Sequence, residues 1–182
     1  VSSFALEARQ LLLGPSENSS EKIQEALIEM QPGDVLTLEP GEYFFEDGIS
    51  LDIDDVIFEG SGINDTILNF GNQISGAQGL LVTSDGVTLR DFAVLDATGD
   101  AIKVIGADGI NMVRLRTEWT GGPKETNGAY GFYPVESRDV LIDACVAIGA
   151  SDAGIYVGQS RNIIVKNSIA QYNVAGIEIE NS

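Results

Sequence analysis

Short runs of alternating apolar and polar residues recur along most of the chain. One set of runs begins at Val35, Val56, Val87, Ile110, Val140 and Ile163, at intervals of 21, 31, 23, 30 and 23 residues. The runs are short and rich in β-branched residues, which is typical of β-strands. A base period of about 21–23 residues, lengthened where a loop is inserted, predicts a stack of similar structural units.

A second set of short strands is predicted at residues 101–104, 131–134, 154–157 and 176–179. Their alternation predicts an inward column and an outward column on successive units. The inward column contains Ile102, Phe132, Ile155 and Ile177, and the outward column contains Lys103, Tyr133, Tyr156 and Glu178. Units of this size bury their apolar faces only by stacking, so the pattern predicts an all-β parallel β-helix of about six coils over residues 34–182. A leucine-rich repeat has a similar period, but its leucine pattern is missing.

The first 33 residues have a different pattern and are expected to form an N-terminal cap. Ile23, Ala26, Leu27 and Met30 follow helical spacing, which predicts an amphipathic helix over about residues 20–31. Ser19 or Ser20 is expected to be its N-cap, and residues 31–34 (Gln-Pro-Gly-Asp) are expected to end it. Phe4, Leu6 and residues 11–13 are candidates for packing on the same cap. The whole chain of residues 1–182 is predicted to be one domain.

The last residues, 180–182, are in phase with residues 158–160 one coil earlier. An uncovered last rung would expose unpaired backbone groups and the apolar residues Ile163, Val165, Ile177 and Ile179. We therefore expect either that the chain is a C-terminally truncated β-helix or that another chain makes an end-to-end contact with this coil.

Charge limits the classes of ligand. The net charge is −18, which argues against binding to nucleic acid or to an anionic membrane. Residues 1–65 carry 15 acids and 2 bases, whereas residues 90–166 carry 10 acids and 8 bases. A site for an anionic ligand is therefore expected in the second half. No apolar run is long enough for a membrane span.

The chain has no histidine and one cysteine, Cys145. This composition excludes histidine-based triads and histidine metal sites, and it excludes an internal disulfide and a zinc site with several cysteines. Cys145 falls in the inward column with Phe92, Leu115 and Ser168, so we predict a small buried core residue rather than a nucleophile.

Three segments resemble the N-terminal cap and first coil of secreted proteins of the pectate-lyase-like superfamily. They are Ile-Gln-Glu-Ala-Leu at 23–27, Gln-Pro-Gly-Asp-Val-Leu at 31–36 and Pro-Gly-Glu-Tyr at 40–43. The resemblance implies a right-handed parallel β-helix and a secreted or periplasmic protein. That fold carries lyases, hydrolases, epimerases and non-enzymes alike, so it does not by itself imply an activity.

A narrower resemblance lies at residues 130–135, Tyr-Gly-Phe-Tyr-Pro-Val, which are similar to the Tyr-Gly-Phe-Asp-Pro-His segment of alginate epimerases. Tyr130 matches a position that the resemblance implies to be catalytic. Tyr133 and Val135 replace the aspartate and histidine of that segment, so two ionisable groups are missing. The paired aspartates, Gly-His-Gly and Arg-x-Lys motifs of polygalacturonases are also absent.

The candidate site combines the outward column with the long inserted loop at residues 119–130. Trp119 and Tyr130 bracket this loop, and aromatic rings can stack on the apolar face of a sugar; the alternative for Trp119 is a hydrophobic anchor. Tyr130 and Tyr133 are candidate proton-transfer groups, and Lys103 and Arg116 are candidate partners for a carboxylate. The further candidate substrate contacts are Trp119, Tyr156, Glu118, Glu178 and Lys124. The alternative is an ordinary solenoid surface with stacked tyrosines.

Calcium is a candidate cofactor because Asp96, Asp100, Asp143 and Asp152 lie in or near turns, although no established calcium-loop motif is present. Turn-capping aspartates are the alternative. Together with the resemblance, these features predict a secreted carbohydrate-active protein that binds an extended acidic polysaccharide. If it is an enzyme, β-elimination or epimerisation is the chemistry that the resemblance implies. A non-catalytic polysaccharide-binding or structural solenoid is the alternative.

Overall fold

A computed structural model describes residues 7–182, so the expectation for Phe4 and Leu6 lies outside the described residues. Over this range the chain forms one helix and seventeen strands. In chain order they are β1 (Gln10–Leu13), α1 (Ser19–Glu29), β2 (Val35–Leu38), β3 (Gly41–Phe44), β4 (Asp47–Leu51), β5 (Ile57–Glu59), β6 (Thr66–Asn69), β7 (Ser75–Val82), β8 (Thr88–Leu95), β9 (Asp100–Ile105), β10 (Asn111–Glu118), β11 (Tyr130–Val135), β12 (Arg138–Asp143), β13 (Val146–Ile148), β14 (Ala153–Gly158), β15 (Arg161–Lys166), β16 (Ile169–Gln171) and β17 (Ala175–Glu180).

The strands form two parallel sheets that wind around one core, as the repeat predicts. Sheet A has the order β1-β2-β5-β8-β10-β12-β15, with β3, β6, β13 and β16 at its side. Sheet B has the order β4-β7-β9-β11-β14-β17. From β2 onward, each circuit of the chain adds one or two strands to sheet A and one strand to sheet B. The product is a β-solenoid of about seven turns. The prediction of an all-β parallel β-helix is confirmed.

The solenoid has one turn more than the six coils predicted, and the extra strand is β1. Gln10 pairs with Val35 and Leu13 pairs with Leu38, so residues expected to belong to a cap form the first strand of sheet A. The register of the next coil also differs by one residue, because Val35 pairs with Ile57 rather than with Val56. From β5 onward the predicted alignment of the starts holds, since Ile57 pairs with Thr88.

The core consists of apolar columns that run along the stack. Leu36, Phe58, Leu89, Met112 and Ile142 occupy equivalent positions in sheet A and are fully buried. Phe45 stacks on Phe70 with their ring centroids 4.7 Å apart. This stacking gives each internal coil an apolar layer that its neighbours cover on both sides.

The two sheets lie close together at the start of two sheet B strands, β11 and β14. Gly131 faces Thr117 of sheet A, and a Cβ on this glycine would lie 2.5 Å from the Thr117 Oγ1 atom and 2.5 Å from the Gly154 carbonyl oxygen. Gly154 and Gly176 occupy the same position in the following two coils. The glycines in this row let β11 and β14 lie closer to sheet A than a side chain would permit.

Helix α1 closes the N-terminal end of the stack. It packs against β1, β3 and β4, and it buries Ile23 and Leu27 completely. The residue before the helix is Asn18, whose side chain makes no capping bond, while Ser19 lies in the first turn and donates from its Oγ to the Ser16 carbonyl. The helix is therefore confirmed, but the serine N-cap is wrong. No helix within residues 7–182 has the length and apolar character needed to cross a bilayer.

The opposite end of the stack is open among the described residues. Ile177 and Ile179 face the interior of the last coil, yet 49% and 64% of their surfaces are exposed. Ile155, the preceding residue of the same column, is fully buried. The final apolar layer therefore lacks the cover that every earlier layer has.

Candidate functional site

The outward residues of sheet B form a column along the stack. Lys103 pairs with Tyr133, and Tyr156 pairs with Glu178. Tyr133 and Tyr156 are also neighbours, because the adjacent residues Phe132 and Ile155 pair with each other. The predicted column is present, and its inward counterparts Ile102, Phe132 and Ile155 are fully buried.

Three tyrosines of this face form one aromatic cluster, which we call the tyrosine cluster: Tyr130, Tyr133 and Tyr156. The Tyr130 ring stacks on the Tyr156 ring with a centroid distance of 4.5 Å. The Tyr133 ring lies 4.7 Å from Tyr130 and meets Tyr156 edge-on at 5.2 Å. All three side chains are half-buried, so each presents part of its surface to solvent. The cluster joins the first residue of β11 to two members of the predicted column.

Polar groups flank the tyrosine cluster at both ends. The Lys103 ammonium lies 4.8 Å from the centre of the Tyr133 ring, within the range of a cation–π contact. At the other end the Tyr156 hydroxyl donates a hydrogen bond to the Glu180 carboxylate. These contacts hold the outer rings of the cluster in place.

The hydroxyls of the tyrosine cluster are poor bases. Burial raises the pKa of Tyr130 and of Tyr133, and nearby carboxylates raise both further. The hydrogen bond to Glu180 raises the pKa of Tyr156. All three phenols are consequently protonated at neutral pH, where they can donate hydrogen bonds or protons but cannot readily accept a proton.

Asp100 is the carboxylate on this face whose surroundings best suit it to accept a proton. It begins β9, it interacts electrostatically with Lys103, and it accepts a hydrogen bond from the Tyr130 backbone N–H. Burial raises its pKa, against the opposing effect of Lys103. The sequence placed Asp100 among calcium candidates, whereas the structure places it beside the tyrosine cluster.

Trp119 is a core residue. Only 4% of its surface is exposed, and its indole Nε1–H donates to the Ala97 carbonyl oxygen at 2.7 Å. The ring has no free face for a sugar, so the assignment of Trp119 to the substrate-binding set is wrong. The structure supports the alternative, in which the tryptophan anchors the inserted loop to the stack.

Arg116 and Glu118 lie on a different face from Lys103. Both belong to β10 in sheet A, and they form an ion pair with each other. The Arg116 Nε–H also donates to the Ile63 carbonyl oxygen at 3.2 Å. The guanidinium is thus engaged by Glu118 and by the turn at Ile63, and the structure does not bring it to the tyrosine cluster.

Lys124 is exposed on the inserted loop. With Pro123 and Glu125 it lines a shallow cleft of about 330 Å³, whose other wall includes Tyr172 and Val174. This cleft lies apart from the column of Lys103 and Tyr133, so Lys124 is not part of the same contact surface.

The four calcium candidates do not converge. Asp96 accepts hydrogen bonds from the Thr120 backbone N–H and hydroxyl, both at 2.7 Å. Asp143 forms an ion pair with Lys166 and accepts a hydrogen bond from the Asn167 side-chain amide. Asp96 and Asp143 therefore act in the turns, while Asp100 and Asp152 flank Tyr130. Within residues 7–182, no three acidic or cysteine side chains are grouped as a metal site.

Cys145 is buried, as predicted. Its thiol points toward the Met112 carbonyl oxygen at 3.4 Å, and burial raises its pKa to about 11. The thiolate form is scarce at neutral pH, so this residue is a packing group rather than a nucleophile.

Residues 44–182, about three quarters of the chain, match the family described as the right handed beta helix region. The chain belongs to the right-handed β-helix family. No curated protein matches its sequence.

Solved structures share this right-handed β-helix at low sequence identity. The catalytic domain of an α-1,3-glucanase bound to tetrasaccharides matches with a TM-score of 0.69 at 14% identity, over 96% of this chain and 32% of the glucanase. An alginate lyase from Paenibacillus matches with a TM-score of 0.55 at 16% identity, over 95% of this chain and 65% of the lyase. The A-module of the Azotobacter vinelandii mannuronan C-5 epimerase AlgE4 matches with a TM-score of 0.53 at 19% identity, over 79% of this chain and 50% of the module.

These likenesses establish the fold of this right-handed β-helix. The chain spans about a third of the glucanase and between half and two thirds of the other two proteins. All three proteins act on polysaccharides, according to their names.

Sequence reasoning missed two carboxylates of the β-helix site, Glu136 and Glu180. Both act electrostatically on Tyr133, and Glu180 also binds the Tyr156 hydroxyl. Glu180 could have been found from the sequence, because it lies two residues after Glu178 and therefore on the same face of the same strand. Glu136 follows β11 in a turn, where strand alternation gives no signal.

Proposed function

We propose that this β-helix binds an extended polysaccharide along the outer face of sheet B, with the tyrosine cluster as its main contact surface. The observation that carries the proposal is the packing of three partly exposed tyrosine rings within 4.5–5.2 Å of one another. The C–H face of a sugar ring is apolar, so it can pack on such rings while the phenol hydroxyls donate hydrogen bonds to sugar oxygens.

The direction of the column suits a polymer. Lys103, Tyr133, Tyr156 and Glu178 belong to successive coils, which lie about 4.8 Å apart along the stack. A polysaccharide lying along the axis would contact one coil after another. The structural neighbours support this proposal, since three of them are polysaccharide-acting enzymes built on the same fold.

Replacing tyrosines of the cluster tests the binding surface. We expect Tyr130→Ala and Tyr156→Ala each to weaken the binding of oligosaccharides, identified first on a glycan array, by about three- to tenfold. Tyr172→Ala is the matched control, because Tyr172 is 68% exposed but lies outside the cluster. The proposal would be contradicted if all three variants kept the unfolding midpoint of the parent protein and bound oligosaccharides as tightly as the parent protein does.

Catalysis on an acidic polysaccharide is a second candidate, supported by the position of Lys103 beside Tyr133 and Asp100. β-Elimination and epimerisation both remove the proton next to a uronate carboxylate. Asp100 would accept that proton, the Lys103 ammonium would stabilise the resulting anion, and a protonated Tyr130 or Tyr133 would supply a proton to the leaving oxygen or to the opposite face of the ring.

An ultraviolet assay for unsaturated uronates, together with NMR analysis of epimer content, separates catalysis from binding alone. A lyase would produce absorbing ends that Lys103→Gln abolishes, and an epimerase would change the epimer ratio. A protein that retains oligosaccharides but changes none of them would support the non-catalytic alternative. Since polysaccharides of this kind lie outside the cytoplasm, we also propose a secreted or periplasmic location, which fractionation of the producing cells would test.

A further inference from the structure

A groove of about 620 Å³ lies between α1 and the corner where β3 leads into β4. One wall is formed by side chains on one face of the helix, and the other wall is formed by residues 44–49. The groove lies at the first coils, three strands along sheet B from β11 and the tyrosine cluster. It is therefore separate from the proposed polysaccharide surface.

Two large apolar side chains are exposed in this groove. Ile28 of α1 and Phe44 of β3 belong to its facing walls, and 62% and 56% of their surfaces are exposed. Phe45 and Ile49 also line the groove, and both are buried in the core beneath it. Exposed apolar side chains that share one concave surface mark a place where another molecule packs.

The backbone edge of β3 is open at the same corner. Gly41 and Phe45 donate their backbone N–H groups toward β6. Because alternate residues of a strand direct their backbone groups to opposite sides, the N–H and C=O groups of Phe44 point away from β6. On that side β3 has no strand neighbour among the described residues. Such an edge pairs readily with an extended segment of another chain.

The neighbouring edge, that of β4, shows how α1 satisfies such groups. The Gln24 side-chain amide donates to the Ser50 carbonyl oxygen at 3.1 Å and accepts from the Ser50 N–H at 2.9 Å. These two bonds take the place of a strand beside β4, which is the outermost strand of sheet B. The backbone of Phe44 receives no equivalent contact from α1 in the described part of the chain. The open edge is therefore confined to the groove.

The rim of the groove carries one sign of charge. Its titratable lining residues are Glu17, Glu21, Glu25, Glu46 and Asp47, with no lysine or arginine in the described lining. The apolar walls and the open edge create the binding surface, whereas these charges restrict what can occupy it. They repel an acidic segment and attract a basic one.

We infer that this groove docks an extended, basic segment of a partner protein. The backbone of the segment pairs with the open edge at Phe44 in the manner of a further strand. One of its apolar side chains packs between Ile28 and Phe44, and lysine or arginine side chains on either side of it lie along the carboxylates of the rim. A partner held here leaves the tyrosine cluster accessible, so one chain can hold a partner and a polysaccharide at the same time.

Labelled heptapeptides test the occupant. The probe is Lys-Val-Lys-Phe-Lys-Val-Lys with blocked ends, and its two counterparts replace every lysine by glutamine or by glutamate. Fluorescence anisotropy with the 182-residue chain should show the lysine peptide binding about tenfold more tightly than the glutamine peptide. The glutamate peptide should bind most weakly, because its charges match those of the rim.

Two methylated versions of the lysine peptide test the strand pairing. One carries N-methyl groups on the lysines and the other carries them on the three apolar residues, so each version blocks one backbone edge of the peptide. We expect one of the two to lose about tenfold in affinity, because it can no longer donate hydrogen bonds to the edge at Phe44.

Apolar truncations assign the binding to the groove. We expect Ile28→Ala and Phe44→Ala each to weaken binding of the lysine peptide by about three- to tenfold. Leu12→Ala is the matched control, because Leu12 is 63% exposed on β1 and does not line the groove. All three side chains are largely exposed, so the unfolding midpoints should stay close to that of the parent protein.

Charge substitutions separate the rim from the net charge of the chain. Glu21→Gln with Glu25→Gln should weaken binding of the lysine peptide by about fivefold and leave the glutamine peptide unaffected. The matched control is Glu29→Gln with Asp52→Asn, which removes the same charge from exposed positions outside the groove and should have little effect.

Several outcomes would overturn the inference. Equal binding of the lysine and glutamine peptides would do so, as would equal losses in the groove variants and their controls. Full affinity of both methylated peptides would exclude pairing with the strand edge, and failure of every peptide to bind the folded chain would exclude a docking groove. Self-association that Phe44→Lys reverses would make a second copy of the chain the occupant and would also overturn the inference.

Discussion

Asp34 joins three separate parts of the chain through one carboxylate. It accepts hydrogen bonds from the Arg9 backbone N–H at 2.7 Å, from the Arg9 guanidinium at 2.6 and 2.9 Å, and from the Gln31 backbone N–H at 2.8 Å. Arg9 also donates to the Glu29 carbonyl at the end of α1. One ion pair therefore connects the segment before β1, the helix end and the start of β2.

Removing this carboxylate should make stability depend on pH in a defined way. The Arg9 hydrogen bonds lower the pKa of Asp34 from 3.8 to about 2, so the charged form is favoured in the folded protein. The stabilisation is complete above about pH 4 and is lost as the pH falls through about 2. We expect Asp34→Asn to be less stable than the parent at neutral pH, and the gap to close in acid.

Denaturant unfolding of both proteins between pH 7 and pH 2 measures this gap. Glu25→Gln, an exposed change on α1, serves as the control and should leave stability nearly unchanged at pH 7. A gap that stays constant across the range would show that Asp34 acts by shape rather than charge. The sequence showed Asp34 only as the end of a helix-stopping turn, because its partner lies 25 residues away.

Among the elements, the inserted loop between β10 and β11 depends on Trp119. The indole ring fills a core position, and a Cβ on Gly128 would lie 2.7 Å from its Cζ2 atom. The ring therefore packs directly under the returning end of the loop. Its buried N–H is paired with Ala97 in the preceding coil.

Truncating Trp119 should destabilise the whole fold. We expect Trp119→Ala to lower the free energy of unfolding by about 3–5 kcal/mol, because it removes a large buried ring. Trp119→Phe should cost less, since it fills part of the space but leaves the Ala97 oxygen unpaired. Chemical denaturation gives both values, and a loss of ligand binding without a loss of stability would contradict this role.

The row of glycines in sheet B allows a matched comparison, because its equivalent positions differ in their surroundings. Gly131 has the Gly154 oxygen and Thr117 at 2.5 Å from a built Cβ, whereas the nearest atoms to Gly176 lie at 3.8 and 3.9 Å. We expect Gly131→Ala to lower the free energy of unfolding by about 1–3 kcal/mol, and Gly176→Ala to change it little. Similar losses in both variants would indicate a backbone effect instead of crowding between the sheets.

Strand faces could be predicted from the sequence, while loop packing could not. Alternation located Lys103, Tyr133, Tyr156 and Glu178 on one face because side chains in a strand alternate strictly. Trp119 follows β10 directly, where the strand pattern ends, so its direction depended on contacts with Ala97 and Gly128 that no periodicity reveals. The resemblance pointed to Tyr130 as a site candidate, which stays a prediction, but its stacking on Tyr156 depends on the register of two coils that the sequence does not give.

At the scale of the whole stack, the first and the last coils of the described residues differ in their cover. Helix α1 covers the first coils, whereas the last described coil exposes Ile177 and Ile179 together with the backbone edges of β15 and β17. A small cleft of about 400 Å³ opens into this interior, lined by Val157, Ile163, Val165 and the two isoleucines. Parallel strand edges of this kind pair readily with another strand.

We therefore expect the 182-residue chain to self-associate through its last coil. Sedimentation velocity should show a concentration-dependent increase in mass, which Ile177→Lys with Ile179→Lys should suppress. Ile74→Lys is the control, because Ile74 is 83% exposed but lies far along the stack from this end. A chain that stays monomeric at every concentration, with or without these changes, would contradict the expectation.

Both ends of the inserted loop are held by bonds that belong to the stack rather than to the loop. The backbone N–H of Trp119 donates to the Ile148 carbonyl at one end of the loop. At the other end the backbone N–H groups of Ser151 and Asp152 donate to the Gly128 and Ala129 carbonyls, respectively. We therefore expect residues 121–126 to tolerate exchange for sequences of other lengths while the neighbouring coils keep their alignment. In this respect the stack is a scaffold on which loop tips of other sequences can be presented without a change in the coils that carry them.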